Sequence, residues 1–194
     1  MSGSRAAHAR NLVGPLIRST YRIDVRKVEN LPRRGSVLIV CDWNNIAAPS
    51  VLKAGLPRPI HVWAAGPAGL PGPLMSVTGD LAMPEQGPGV AVVQRVVELL
   101  GEGEAVVAIG VQDLGYVLSA TGTPMMTAHV QAPSTKRPTD PPARKSEINV
   151  NMGPIYDIPQ RFTVGRPTIG VARAAGEWAR QRLADETRRG RGAQ

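Results

Sequence analysis

The stretch GVAVVQRVVELLGEGEAVVAIG, residues 89 to 110, constrains the fold more than any other part of the chain. Its first half sets Val90, Val93, Val97 and Leu100 on one face of a helix, with Gln94, Arg95 and Glu98 opposite. Its second half, EAVVAIG, is a short β-branched run that reads as a strand. The glycines of LGEGEA form the turn between them. They precede a strand instead of opening a helix, so they are no dinucleotide fingerprint. A helix, a tight turn and a strand in that order are the repeating unit of an α/β domain.

The rest of the chain continues the alternation. VLIVC, 37 to 41, and IHVWAA, 60 to 65, read as strands, GDLAMP, 79 to 84, as a weaker one, and PMMTAHV, 124 to 130, as another. EINVNMGPI alternates Ile148, Val150 and Met152 with polar residues and reads as one more strand. Helices are expected over 10–22, near 113–120 and from about Thr168 to Arg188. The last carries Ile169, Ala172, Ala175, Ala179 and Leu183 inward. The polar, Pro-rich stretch 131–146 is a loop inside the domain. The expected organisation is therefore a flexible basic N-terminus over 1–9, one α/β domain over 10–187, and an Arg-rich tail over 188–194. Its sheet should be largely parallel or mixed and flanked by helices.

Apolar residues make up 42% of the 194 residues, enough for a core. No apolar run approaches the length of a bilayer span, and the N-terminus lacks a signal peptide's apolar stretch. Cys41 is the one cysteine, which fits a reducing, cytoplasmic compartment. The net charge of +8 is uneven. Residues 1–30 hold six basic and two acidic side chains, residues 160–194 eight and three, and the body between them nine and ten. Basic ends suit an anionic surface. In 10–22, Leu12, Val13, Leu16 and Ile17 form an apolar stripe beside Arg10, Arg18 and Arg22, a candidate membrane contact. The competing expectation is that this stripe packs on the domain's own core.

The order of segments resembles the glycerolipid acyltransferases, which acylate lysophosphatidic acid and related lysophospholipids. The resemblance covers about residues 10–187. It rests on VRKVENLPRRGSVLIVCDWNN at 25–45, LPRPIHVWA at 56–64, VVELLGEGEAVVAIG at 96–110, TGTPMMTAHV at 121–130 and INVNMGPIYDIP at 148–159. It implies a glycerolipid-acyltransferase-like fold. It also implies a reaction in which a histidine, oriented by an aspartate five positions on, takes the proton of a glycerol hydroxyl that attacks an acyl thioester. Arginines in later motifs would hold the acceptor's phosphate.

Position by position, those groups are missing. The family's histidine position is Trp43 and its aspartate position is Ala48, followed by the expected Pro49. The phosphate arginine position is Glu85, and the block with a glutamate and an arginine after the strand at 104–109 has no counterpart. Thr127 stands near the family's fourth block. An indole accepts no proton at neutral pH, and a methyl group orients no base.

The expected function is that of a catalytically inactive acyltransferase-like protein. It acts by binding a lipid, an acyl chain or a protein partner, peripherally on the inner face of the membrane. Asp42, Trp43, Asn44 and Asn45 are the candidate ligand residues of the old cleft. The alternative is an active lysophospholipid acyltransferase with an unusual catalytic residue, for which Asp42 is the candidate base. Against that role, a lone carboxylate at a strand end more often caps a helix or binds loop amides. His61 and His129 read as structural, His8 as part of the N-terminal tail, and Cys41 as inert packing. A second alternative, nucleic-acid binding, finds no motif and few aromatics for stacking. No cofactor is expected, and no metal-ligand spacing occurs.

Overall fold

The computed structural model describes residues 14–68, 80–84, 86, 89–163 and 166–192. Seven strands form one sheet: β1 (Arg22–Arg26), β2 (Val37–Cys41), β3 (His61–Ala64), β4 (Leu81–Ala82), β5 (Ala105–Ile109), β6 (Met125–Gln131) and β7 (Glu147–Tyr156). Their spatial order is β1-β7-β6-β2-β5-β3-β4. Every neighbouring pair is parallel except β6 and β7. The helices are α1 (14–20), α2 (Ala48–Gly55), α3 (Val90–Gly101), α4 (Leu114–Thr121) and α5 (Ile169–Gly192). The expected α/β domain with a mixed sheet flanked by helices is the observed one.

The helices cover the two faces of the sheet unequally. On one face Val37, Ile39 and Cys41 of β2 pack with Ala48, Val51 and Leu52 of α2, and Ile17 of α1 lies against the same cluster. On the other, Leu38 and Val40 pack with Val96 and Leu99 of α3, Val117 of α4, and Ala175 and Ala179 of α5. All five residues of β2 are buried, as a strand sheathed on both faces requires.

Three expectations need correction. The helix over 10–22 ends at Thr20, because Ser19 and Thr20 turn their hydroxyls back onto the Leu16 carbonyl. Arg22–Arg26 is instead a strand on the sheet's edge, its charged residues exposed and Ile23 and Val25 turned to the core. On α5, Ile169 is 82% exposed and does not pack inward. On α3 the buried face is Val93, Val96, Leu99 and Leu100, while Val90 is exposed. The last helix spans Ile169–Gly192, and residues 1–9 lie outside the described residues.

The 132–146 loop is strapped to the α1/α2 side. Ile46 donates its backbone N–H to the Pro138 carbonyl, Lys145 to Thr20, and the Tyr21 hydroxyl reaches the Pro142 carbonyl.

Helix α4 crosses α5 where glycines allow near-contact of the two backbones. A Cβ on Gly115 would lie 1.9 Å from the Ala172 carbonyl oxygen and 2.4 Å from the Gly176 nitrogen. Gly115→Ala should therefore push the helices apart and cost about 1–3 kcal/mol. Denaturant unfolding checks this, with a lower midpoint at unchanged slope expected.

Candidate functional site

The chain leaves β2 at the carboxyl edge of the parallel strands, where open α/β sheets commonly place their ligands. Strand alternation continues past Cys41 and separates the next two side chains. Trp43 turns to the α1/α2 side and lies half-buried against that cluster. Asp42 turns to the α5 side.

On the Trp43 side the loop is held by its own amides. Asn45 is buried. Its Oδ1 accepts the Ala47 N–H at 2.9 Å, and its Nδ2 donates to the Asp140 carbonyl at 3.0 Å in the Pro-rich loop. Asn44 is exposed and accepts the Ala68 N–H on Oδ1 at 3.2 Å. Its amide also lies so close to Gly110 (φ +66) that a Cβ there would stand 2.9 Å from Nδ2. Ala48 is completely buried at the start of α2. No titratable side chain stands at position 43 or 48, and Glu85 lies outside the described residues. Cys41 is buried, and burial pushes its thiol up to about 12, so it is no nucleophile at neutral pH.

On the α5 side Asp42 is the centre of a network. Its Oδ1 accepts the Val130 N–H at 3.0 Å. Its Oδ2 faces His129 Nδ1 and the Thr187 hydroxyl of α5, the latter at 3.1 Å. The carboxylate caps no helix; it binds a backbone amide of the neighbouring strand and an imidazole. His129 is 7% exposed, and Nε2 is buried with no hydrogen-bond partner. The pair spans 87 residues of sequence, and nothing in either local pattern announces it.

A second charged pair also escaped the sequence. Lys53 of α2 meets Asp80 at 2.6 Å with both side chains buried, and Asp80 accepts the Val62 N–H as well. Desolvation lowers the Lys53 pKa, and the Asp80 charge opposes it.

The candidate membrane residues are divided among different jobs. Leu16 is 66% exposed, and Ile17 packs on the core. Arg18 donates twice to the Ala54 carbonyl at the end of α2, and Arg22 opens β1. Arg10, Leu12 and Val13 lie outside the described residues. No described helix is long and apolar enough to cross a membrane.

No family model and no curated protein matches the chain. Among solved structures it is similar to the 1-acyl-sn-glycerophosphate (LPA) acyltransferase PlsC from Thermotoga maritima, with a TM-score of 0.56, 11% identity, and coverage of 95% of this chain and 79% of that one. The likeness is one of fold. The acyltransferase-like architecture expected from the order of segments is thereby found, while site residues do not carry across at that identity.

Removing the Asp42 carboxylate leaves the Val130 amide and the imidazole without their partner. Asp42→Ala is expected to lower stability by about 2–3 kcal/mol, read as a shift of the chemical-denaturation midpoint. An unchanged midpoint would mean the network contributes nothing.

Proposed function

We propose that the protein is a noncatalytic member of the acyltransferase-like fold and acts by binding, at an anionic lipid surface on the cytoplasmic side of the membrane. The observation that carries this reading is the β2–α2 junction itself. Position 43 is an indole resting on the core, position 48 is a buried methyl group, and the asparagines between them are engaged in holding the loop. The fold's solved neighbour is an acyltransferase of 1-acyl-sn-glycerophosphate. In this chain the junction offers that chemistry no base. The Asp42–His129 pair favours a second reading, an enzyme with a relocated base. Its free nitrogen is buried on the α5 side, away from the junction's Trp43 side.

Purified protein given acyl-CoA or acyl-carrier protein and radiolabelled lysophospholipid should show no acyl transfer above the no-enzyme blank. Loss of a general base alone removes about 10²–10⁴ in rate. Turnover that Asp42→Asn abolishes, in a variant that still folds, would establish the relocated base and overturn this reading.

The lipid surface has its own support in the exposed Leu16 beside the basic N-terminal segment. Co-sedimentation should show salt-sensitive binding to anionic vesicles and weak binding to neutral ones, since each basic residue near such a leaflet adds about 1 kcal/mol. Leu16→Glu should reduce binding without altering the melting temperature. Vesicle binding that survives Leu16→Glu removes this helix from the contact.

A further inference from the structure

Helical spacing sets Ala174, Trp178 and Arg182 in one strip along α5, and Glu177, Gln181 and Asp185 in the strip beside it. Arg161 and Phe162, in the turn Gln160–Phe162 that follows β7, stand against the same stretch of helix. Together these residues line an open groove of about 750 Å³. Its floor is apolar. Phe162 is buried and Trp178 half-buried, with ring centroids 6.4 Å apart. Tyr156 backs the indole edge-on, also at 6.4 Å.

Two arginines are laid on these rings. The Arg161 guanidinium stands 4.8 Å from the Phe162 ring centre, and that of Arg182 stands 5.3 Å from Tyr156 and 5.9 Å from Trp178. Such contacts hold a cation in place but give its N–H donors no oxygen to bind. Among the described residues neither guanidinium has an ion pair or a side-chain hydrogen bond. The carboxylates that could serve them are taken. Asp185 binds Arg188 at 2.6 Å and Gln181 at 3.0 Å. Glu186 binds Arg189 at 2.8 Å and the Tyr156 hydroxyl at 2.9 Å. Glu177 is the groove's remaining carboxylate and is exposed. Two guanidinium groups against one unengaged carboxylate leave an excess of one positive charge over an aromatic floor. A monoanion balances it, whereas a dianion would meet repulsion from Glu177 and Asp185. A carboxylate is flat and matches the fork of a guanidinium. An aromatic ring attached to it would bury its apolar surface on Phe162 and Trp178.

We propose that this groove binds a small aromatic monocarboxylate, with Arg161 and Arg182 holding the carboxylate and Phe162 and Trp178 the ring. It lies on the α5 side of the sheet, away from Trp43 and from α1. It therefore stands or falls separately from the absence of acyl transfer and from the lipid contact.

The test titrates sodium phenylacetate into the full chain while NMR follows the tryptophan indole N–H signals, that of Trp178 assigned with Trp178→Phe. A saturable shift at Trp178 is expected, with the Trp43 signal unmoved. The affinity should be about 1 mM, the scale for a ligand of about ten non-hydrogen atoms in an open groove. Acetate, which lacks the ring, and phenethylamine, which lacks the anion, should be silent at the same concentration. Arg182→Gln should weaken binding about tenfold. Arg182→Lys should weaken it less, since lysine keeps the charge without the fork. Glu177→Gln should tighten it about twofold by removing a like charge. Both positions are exposed, so melting temperatures should hold and confirm folding. No saturable shift at Trp178 overturns the proposal, as does an equal response to phenethylamine, or an Arg182→Gln variant that binds phenylacetate as the parent does. Phenyl phosphate binding more tightly than phenylacetate also overturns it, and assigns the groove to phosphate monoesters.

Discussion

The burial of β2 on both faces is the constraint from which the site arrangement follows. It lies fourth of seven strands, so it has a sheet neighbour on each side and a helical layer above and below. Such a strand has no freedom of register, since a slip of one residue would exchange the contents of two different cores. The same strictness carries past its end. Asp42 must go to the α5 side and Trp43 to the α2 side. A loop that reads as one polar cluster in sequence is therefore divided by the sheet into two environments with nothing in common.

Much of the fold was legible because its central elements are written in strong local patterns. VLIVC and AVVAI are apolar throughout, and α3 alternates with a helical period. The first strand was not legible. RIDVR is charged at its outward positions and follows directly on a helix, so its period-2 signal is carried by Ile23 and Val25 alone. What makes it a strand is β7, more than a hundred residues away. Ile169 failed for a related reason. Helical spacing assigns a face along the whole of a 24-residue helix, but its first residue, Ile169, stands clear of the layer that the following turns pack on.

The residues of the candidate site were legible and their partners were not. The indole at 43 and the methyl group at 48 are plain in the sequence. The partnership of Asp42 with His129 is not, because each residue taken singly has a commoner explanation and only the β2–β6 pairing joins them. The buried Lys53–Asp80 pair is a further case: a lysine on an amphipathic helix reads as solvated until the chain before β4 folds over it. Buried ion pairs seldom add net stability, but breaking one is expensive. This pair therefore acts more as a lock on the position of Asp80, and through it on the start of β3, than as a source of binding energy.

The edge strand β1 has a kinetic consequence. Among the described residues its only sheet partner is β7, and that pairing joins residues near 24 to residues near 149. During synthesis β1 emerges early and waits with its backbone donors and acceptors unmatched while β2 to β6 are made. Loop-closure entropy grows only slowly with such a span, but contacts of this range are made late. The arginines and aspartate that face outward from β1 suit that interval, because charge on an exposed strand discourages pairing with another chain. The sheet is thus completed by joining its first strand to its last.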